Sequence, residues 1–433
     1  MSKKTKLLPR FWLALAVFGF MGQIAWTVEN MYFNVFMYKM FNASPSDISL
    51  MVGASAVSAT LTTVFMGALS DKVGKRKLFI CGGYILWGIS IFTFCFLRLE
   101  LIEKMFGATV QAASVGISLV IVLDCLMTFF GSTANDAAFN AWVTDMTDST
   151  NRGAAEGINS MMPMLSVLAV FGGFMAFDLD KSESWVWIFA IIGICVLAVG
   201  ILGFFIIEKD KNVPTQSGYL RNVVHGFLPS TLKSNGSLYF YLFAMILYNI
   251  SIQTFMPYLI IYYEKTLEMA NYTLIMAPAV ILAAVATFFW GKFYDKAGFN
   301  LPCVISFGCL IVGYVILIFT KTMLPVFIGS LFMMCGFLCT GAMFGAKIRD
   351  LTPVGEAGRF QGVRIFSQVL VPGIIGPFIG QRVLKNADTV INGDGTTSFL
   401  PNANIFIAAL VVAFVALVFV QMGKKAFSND KAK

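Results

Sequence analysis

The stretches GALSDKVGKRK at residues 67–77 and GKFYDKAG at residues 291–298 share the spacing G-x3-D-x2-G. Each follows the second long apolar segment of its half of the chain. The glycines permit a tight turn, the aspartate (Asp71 or Asp295) can cap a neighbouring helix, and the basic residues are expected to face the cytosolic surface. A charged turn that matches by chance is the alternative. Recurrence at corresponding places instead indicates a six-segment unit that is present twice.

The apolar segments around these loops determine the fold class. Of 433 residues, 58% are hydrophobic and 12% are charged, against about 25% charged in soluble domains. The segments are long enough to cross a hydrocarbon core of about 30 Å as helices. We predict an all-α integral membrane protein with twelve transmembrane helices in two six-helix bundles. The predicted segments are Phe11–Tyr38, Asp47–Ser70, Leu78–Leu97, Ala108–Val143, Ala154–Phe177, Ser184–Ile207, Leu238–Tyr263, Tyr272–Phe293, Leu301–Thr320, Leu324–Ala346, Phe360–Leu384 and Ala403–Met422.

The domain prediction follows from a polar stretch in the middle of the chain. Residues 1–207 form the first six-helix bundle, 208–236 a cytoplasmic linker and 237–433 the second bundle. The linker contains the single histidine, His225, for which we expect a structural or surface role because no second ligand or proton partner accompanies it.

The basic residues predict orientation. With twelve crossings, 23 Lys and Arg residues fall on the side of the termini and 8 on the other. The positive-inside rule then places both termini in the cytoplasm, in a multi-pass protein of the cell membrane. The net charge of +8 comes from short clusters between apolar runs, so we expect the lipid bilayer as a partner and no nucleic acid. We also expect a monomer.

Several chemistries are not expected. All eight cysteines lie inside apolar segments and form no CxxC pair, which predicts free thiols. The chain has no G-x4-G-K-[ST] loop, no H-E-x-x-H and no G-x-S-x-G. We therefore predict no enzyme activity, no metal site and no cofactor.

The repeated loop resembles the signature of the major facilitator superfamily. We predict a conformational gate at these loops and at Arg152, made of Gly67, Asp71, Gly74, Arg76, Arg152, Asp295 and Gly298.

Two further segments resemble the glycoside-pentoside-hexuronide:cation symporters and the related sucrose:proton symporters. They are DAAFNAWVTD at 136–145, continuing through Arg152-Gly153-x3-Gly157, and DLTPVGEAGRFQGVR at 350–364, leading to Pro372 and Gly376-Pro377.

Two departures from that group concern the coupling ion. Melibiose-permease-like members carry paired aspartates in their second helix and a lysine in their eleventh. Here the eleventh segment has no lysine from Ser367 to Gly373, and in place of paired aspartates the second segment offers only hydroxyl side chains: Ser55, Ser58, Thr60, Thr62 and Thr63. We therefore expect the proton as coupling ion, with sodium as the alternative.

Three carboxylates at membrane depth are the predicted proton-coupling residues: Glu29, Asp124 and Asp136. Burying such a group costs about 2.5–3.5 kcal/mol on insertion scales, so it usually faces a cavity or a partner. The resemblance implies a substrate or cation role for Asp136, whereas Asp124 has the alternative of pairing between helices.

The first segment presents a mixed polar and aromatic face. Gln23, Trp26, Glu29, Asn30 and Phe33 fall within an arc of roughly 120°. Amides and an acid suit sugar hydroxyls, and aromatic rings suit sugar C–H faces. The alternative is that the rings pack against a neighbouring helix and Glu29 is satisfied by a hydrogen bond.

The fourth segment has two polar faces, with Asp124, Thr128 and Asn135 on one and Thr133, Asp136 and Asn140 on the other. We expect at most one to face the cavity squarely. For Arg364, a gate or loop anchor is an alternative to substrate contact. The complete predicted substrate-binding set is Gln23, Trp26, Glu29, Asn30, Asp124, Asp136, Asn140, Tyr248, Asn249, Gln253, Gln361, Arg364 and Gln368.

Together these features predict a secondary active transporter that moves a small sugar or glycoside with protons by alternating access. A sodium-coupled sugar symporter and an exporter or facilitator of another small organic solute are the alternatives. A membrane sensor or scaffold is disfavoured because the longest linker has only about 29 residues and offers no soluble module.

Overall fold

The protein is an assembly of long helices joined by short connections. The computed structural model describes residues 7–107, 111–147, 151–208, 224, 226–269, 271–353, 357–392 and 395–426. Within these ranges the first half forms α1 (Pro9–Phe41), α2 (Pro45–Val73), α3 (Arg76–Phe96), α4 (Ala112–Met146), α5 (Arg152–Phe174) and α6 (Ser182–Ile206). The second half forms α7 (Gly236–Thr266), α8 (Thr273–Ala297), α9 (Asn300–Phe319), α10 (Met323–Leu351), α11 (357–383) and α12 (Asn404–Ala426).

Eleven of these helices are long and apolar enough to cross a membrane, and α5 adds a shorter apolar stretch, Met161–Phe174. The predicted all-α membrane fold of twelve helices is therefore confirmed. The eight cysteines are all free, as predicted.

The repeated loops are mostly helical, which corrects the prediction of their length. Helix α2 continues to Val73 and α8 to Ala297, so most of both G-x3-D-x2-G stretches lies in the last turns of these helices. The chain turns at Gly74 and Gly298, whose φ angles are 67° and 72°. Residues with side chains rarely adopt positive φ, so a glycine after the last helical residue ends the helix there.

Smaller elements lie between the long helices. A short helix, Leu99–Phe106, connects α3 to α4, and another, Pro229–Ser234, precedes α7. Between α11 and α12 the strands β1 (Thr389–Ile391) and β2 (Thr397–Phe399) pair antiparallel, with Thr389 opposite Phe399. The first of these helices and the two strands were not expected from the sequence.

The chain divides into two compact units. The first comprises Met1–Ala43 and Ala54–Arg221, and the second comprises Ser44–Gly53 and Asn222–Lys433. The first turns of α2 thus belong to the second unit, where the Tyr258 hydroxyl donates to the Pro45 carbonyl at 3.1 Å. The predicted linker boundaries stay a prediction, because residues 209–223 and 225 lie outside the described ranges.

Close backbone approach holds α3 against α6 in the first unit. A Cβ on Gly88 would lie 2.5 Å from the Leu197 nitrogen and 2.6 Å from the Gly193 carbonyl oxygen. Helices in lipid associate through such small-residue contacts, because the lipid tails are as apolar as the side chains and add little driving force.

Among the described residues, three helices contain a wider π-helical turn. It occupies Ser132–Phe139 in α4, Tyr262–Thr266 in α7 and Phe366–Leu370 in α11. A π turn rotates the residues that follow it relative to a regular α-helix, and such turns are frequent at functional sites.

Candidate functional site

A buried hydroxyl–carboxyl cluster joins α1, α2 and α4 inside the first unit. Glu29 is 7% exposed, and its Oε1 accepts hydrogen bonds from Ser55 Oγ at 2.6 Å and Thr128 Oγ1 at 3.0 Å. The two hydroxyl oxygens lie 2.9 Å from each other. One carboxylate oxygen of Glu29 is therefore held by donors from two other helices.

Asp124 belongs to the same cluster. It is 1% exposed, and its carboxyl interacts electrostatically with Glu29 and lies beside Ser55. Glu29 Oε2 and Asp124 Oδ1 are both buried, and neither has a hydrogen-bond partner among the described residues. Each of these oxygens can still accept a proton or another donor. The cluster formed by Glu29, Asp124, Ser55 and Thr128 is called the acid pair below.

The acid pair forms no ion pair with any described lysine or arginine. Within the part of the chain that the structure describes, no lysine or arginine nitrogen lies within 4.0 Å of the Glu29 or Asp124 carboxyl. Two nearby carboxylates that lack a cation repel each other when both are ionised. The arrangement is suited to holding a proton or a small cation.

Asp136 lies on the π-helical turn of α4. Its Oδ2 accepts a hydrogen bond from Ser132 Oγ at 2.9 Å, and it is near enough to Glu29 for their carboxyls to interact electrostatically. Regular α-helical spacing predicts that the faces of Asp124 and Asp136 diverge. The π turn changes the spacing of the residues that follow Gly131. The carboxyls of Asp124 and Asp136 both interact electrostatically with Glu29.

Trp26, one turn from Glu29 on α1, connects to α3 and α4. Its Nε1 donates to Asn135 Oδ1 at 3.4 Å, and Asn135 Nδ2 donates to the Tyr84 hydroxyl at 2.7 Å. The Tyr84 hydroxyl donates in turn to the Phe18 carbonyl at 2.7 Å. Trp26 is half-buried, whereas Tyr84 and Asn135 are buried.

The rest of the predicted α1 face is divided. Asn30 is exposed and donates to the Trp26 carbonyl at 2.7 Å, and Gln23 is half-buried. Phe33 is 1% exposed and packs against Phe94 and Phe189 at centroid distances of 4.7 and 5.5 Å. The prediction that Phe33 belongs to the polar face is wrong. An arc of 120° is wide, and a residue at the edge of the arc can contact a neighbouring helix.

The predicted residues of α4 and α7 have different surroundings. Asn140 is exposed and donates to the Asp136 carbonyl at 3.2 Å. In the second unit, Tyr248 is 1% exposed and its hydroxyl donates to the Phe337 carbonyl, a contact between α7 and α10. Asn249 and Gln253 are half-buried, and Asn249 Nδ2 has no acceptor among the described residues.

The predicted residues of α11 are only partly described. Arg364 and Gln368 are half-buried. The side chains of Gln361 and Arg152 lie outside the described part of the structure, so their predicted roles stay predictions.

The predicted gate of the first unit is a set of ion pairs centred on one arginine. The Arg76 guanidinium pairs with Asp71, donates from Nε to Asp145 Oδ2 at 3.0 Å and donates from Nη1 to Ser70 Oγ at 2.7 Å. Arg76 is 8% exposed, so its guanidinium is buried among these partners, and the expectation that this loop lies at the cytosolic surface stays a prediction. Asp71 pairs with Arg76, the first residue of α3, and the N-terminus of α3 has no side-chain cap hydrogen bond, so the predicted cap is wrong.

The corresponding end of the second unit has different chemistry. Asp295 is exposed, and Asn300 occupies the place in the repeat that Arg76 has in the first unit. The nearby Asp350 accepts a hydrogen bond from the Tyr294 hydroxyl. The repeat therefore preserves the turn glycines but not the buried arginine.

Comparison with known proteins identifies the family. The family model described as Major Facilitator Superfamily matches residues 11–377. The chain belongs to the major facilitator superfamily. It is a multi-pass membrane transporter, and the expectation that it is not an enzyme is confirmed.

Individual relatives within the superfamily are distant. The sugar efflux transporter B of Salmonella typhimurium is 23% identical over 208 residues, which is 48% of this chain and 48% of that protein. The chain thus matches about half the length of this curated relative.

Two solved structures share the fold. A bacterial homologue of the human lysosomal transporter Spinster is similar with a TM-score of 0.70 and 14% identity over 98% of this chain and 99% of that one. A nucleoside transporter has a TM-score of 0.73 and 10% identity over 95% and 99%. At these identities the likeness shows the fold alone, and the resemblance to the glycoside-pentoside-hexuronide group stays a prediction.

Five residues of the site were absent from the predicted set, and all but Asn135 carry a hydroxyl: Ser55, Tyr84, Thr128, Ser132 and Asn135. Hydroxyl side chains are common in membrane helices and usually bond to their own backbone, so their presence alone is a weak signal. A stronger signal would have been the two buried acids of neighbouring helices with no basic residue at the same depth. Such buried carboxylates need hydrogen-bond donors from another helix.

Proposed function

We propose that this transporter couples the inward movement of protons to the uptake of a small saccharide or glycoside by alternating access. The proton occupies the acid pair, and the sugar binds beside Trp26. No metal or organic cofactor takes part.

The main support is the acid pair itself. Two carboxyls of different helices lie together at membrane depth, with hydroxyl donors on one oxygen and no basic side chain of the described residues within 4.0 Å. In such a setting two negative charges are far less stable than one, so the pair holds one proton when no metal ion is bound. Because Glu29 and Asp124 come from α1 and α4, loading or releasing that proton changes the interaction between these helices.

The coupling follows from the effect of charge on conformation. While the acid pair is ionised, the bundle favours a conformation in which the pair is exposed to water. Once the pair is neutralised, burying it in a closed conformation costs less free energy. A substrate that binds only to the protonated form then moves together with its proton. Glu29 is the main proton carrier, and Asp124 and Asp136 modulate it through their charges.

The substrate class is supported by aromatic and amide side chains on the helices that carry the acid pair. The Trp26 indole is half-buried one turn from Glu29, while the exposed amides of Asn30 and Asn140 lie on α1 and α4. An aromatic face with several amide groups suits a ring that has both C–H faces and hydroxyls. The name of the Salmonella relative, a sugar efflux transporter, supports the same class.

The orientation is supported by the charge distribution. With 23 basic residues on the side of the termini and 8 on the other, both termini of the monomer lie in the cytoplasm of a cell membrane.

The experiment uses purified protein in liposomes and a panel of labelled mono- and disaccharides. Uptake is measured with an inward proton gradient, with an inward sodium gradient and with neither. We expect one or a few sugars to accumulate with the proton gradient only. In the Glu29→Gln variant accumulation is lost, whereas exchange of labelled for unlabelled sugar continues, because glutamine resembles the protonated acid but cannot release a proton.

The matched control is Glu103→Gln, which makes the same change at an exposed position of the short helix Leu99–Phe106. It should accumulate sugar as the unaltered protein does. Accumulation driven by sodium alone would instead assign the acid pair to that ion. Undiminished proton-driven accumulation in Glu29→Gln would exclude Glu29 as the carrier.

Export of a sugar in exchange for protons is the second candidate function, because the Salmonella relative is named an efflux transporter. The acid pair binds the coupled proton in an exporter as it does in a symporter. Liposomes loaded with sugar distinguish them: an inward proton gradient accelerates sugar loss in an exporter and slows net loss in a symporter.

A further inference from the structure

Tyr84 is a fully buried tyrosine whose hydroxyl connects two helices. It donates to the Phe18 carbonyl of α1 at 2.7 Å and accepts from Asn135 Nδ2 of α4 at 2.7 Å. Both contacts have ordinary hydrogen-bond lengths, so the hydroxyl fixes the orientation of the Asn135 amide. With its NH2 group directed at Tyr84, the amide presents its oxygen to Trp26.

Trp26 is held on a second side by an aromatic contact. Its ring lies 4.9 Å from the ring of Trp87, which is fully buried and itself lies 5.4 Å from the Tyr84 ring. Among these residues only Trp26 is partly exposed. The set formed by Tyr84, Asn135 and Trp87 is called the indole support below.

Two glycines make the indole support possible. A Cβ on Gly22 would lie 2.3 Å from Asn135 Nδ2 and 2.7 Å from the Tyr84 hydroxyl oxygen. A Cβ on Gly131 would lie 2.9 Å from the Trp26 ring and 2.7 Å from the Trp87 ring. Any side chain at these positions would displace the support, so the local backbone is closely fitted to it.

We propose that Tyr84, acting through Asn135, is a positioning residue that fixes the Trp26 indole as the stacking surface for the sugar ring. The inference rests on the proposed function and adds a residue that contacts neither the sugar nor the proton. A stacking ring helps binding most when its orientation is set before the ligand arrives, because less side-chain freedom is then lost on binding.

A purely structural role for Tyr84 gives different expectations. In that case removal of its hydroxyl would lower the stability of the protein and leave sugar affinity unchanged. If the hydroxyl positions Trp26, its removal weakens sugar affinity, and the effect disappears once Trp26 is absent. A double-mutant cycle therefore separates the two roles.

The cycle consists of Tyr84→Phe, Trp26→Phe and the double variant, assayed by the KM and kcat of uptake for the sugar that the panel identifies. We expect Tyr84→Phe to raise KM about fivefold with little change in kcat, the effect of one lost hydrogen bond of ordinary strength. In the Trp26→Phe background the same change should alter KM less than twofold. Equal effects of Tyr84→Phe in both backgrounds would overturn the proposal.

The control is Tyr314→Phe in the second unit. Tyr314 is also fully buried and its hydroxyl lies 3.1 Å from Ser251 Oγ, so the variant removes an equivalent group far along the chain from Trp26. Its KM should match that of the unaltered protein. If Tyr84→Phe does not fold, Asn135→Leu replaces it, because Tyr84 then keeps its bond to Phe18 while the Trp26 N–H loses its acceptor.

A readout without sugar separates failure of this inference from failure of the proposed function. The Trp26 contribution to fluorescence is the difference between the unaltered protein and Trp26→Phe, and its quenching by acrylamide reports how firmly the indole is held. Tyr84→Phe should increase that quenching. Unchanged quenching overturns the positioning role, whereas increased quenching in a protein that transports no sugar retains it and overturns the substrate assignment.

Discussion

The Glu29 carboxyl depends for its hydrogen bonds on residues of two other helices. Ser55 and Thr128 donate to one oxygen of Glu29, while its second oxygen and Asp124 Oδ1 have no partner among the described residues. A carboxylate whose oxygens all accept hydrogen bonds is stabilised in its ionised form and does not readily take up a proton. The half-satisfied pair can bind and release a proton, which is the property that coupling needs.

Arg76 provides the residue-scale prediction. Its guanidinium contacts Asp71, Asp145 and Ser70 at once, which the compact ammonium of lysine cannot reproduce. We expect Arg76→Lys to lower the free energy of unfolding by about 2 kcal/mol, since at least one charge-assisted hydrogen bond is lost. Thermal unfolding in detergent measures the change.

The control for this variant is Lys72→Arg, a reciprocal exchange at an exposed position one residue from Asp71. It should unfold at the same temperature as the unaltered protein. An Arg76→Lys protein as stable as Lys72→Arg would mean that the three contacts contribute nothing to stability.

Acids could be identified from the sequence more reliably than their partners. Glu29 and Asp124 stand out because a carboxyl in an apolar segment is rare. Ser55 and Tyr84 could not be assigned, because their contacts depend on how α2 and α3 are rotated about their axes. Phe33 was misplaced for the same reason, since helical spacing alone does not say where a polar face ends.

At the scale of elements, the π-helical turn of α4 is the feature that most affects the site. It rotates the residues after Ser132 relative to those before it. Regular spacing places Asp124 and Asp136 on separate faces of the helix, yet both carboxyls interact electrostatically with Glu29. A single sequence gives no periodic signal for one inserted residue in a turn. The twelve helices themselves were predictable, because unbroken apolar length is a strong signal.

The contact between α3 and α6 provides the element-scale prediction. In Gly88→Ala the new methyl group would lie 2.5–2.6 Å from backbone atoms of α6, which cannot move aside as a flexible side chain can. The helices must separate, and we expect a loss of about 1–3 kcal/mol in stability, measured by thermal unfolding.

Gly82→Ala is the matched control, because it makes the same change in the same helix where a Cβ would meet nothing within 4 Å. It should be neutral or slightly stabilising, since alanine favours a helix more than glycine does. Equal unfolding temperatures for the two variants would contradict the close packing of α3 on α6.

At the scale of the whole molecule, the repeat of the G-x3-D-x2-G stretch and the charge asymmetry are visible in the amino-acid sequence alone. Both depend on composition and order along the chain, not on contacts. Substrate and coupling ion could not be predicted in the same way. They depend on a few polar groups whose neighbours come from different helices.

The orientation proposal is tested with reporters fused to the chain. A reporter that is active only in the cytoplasm should be active at the C-terminus and inactive when inserted in the β1–β2 hairpin, which lies after an odd number of crossings. A reporter that is inactive at the C-terminus and active in the hairpin would contradict the proposed orientation. It would also contradict the assignment of 23 basic residues to the cytoplasmic side.

In the proposed mechanism the acid pair carries a proton together with the sugar. The most direct test of this mechanism is the pH of a weakly buffered medium when the sugar is added to de-energised membranes that contain the protein. We predict that the medium becomes more alkaline with the unaltered protein and with Glu103→Gln, and stays unchanged with Glu29→Gln. Sugar entry without any alkalinisation, or equal alkalinisation with Glu29→Gln, would contradict this mechanism.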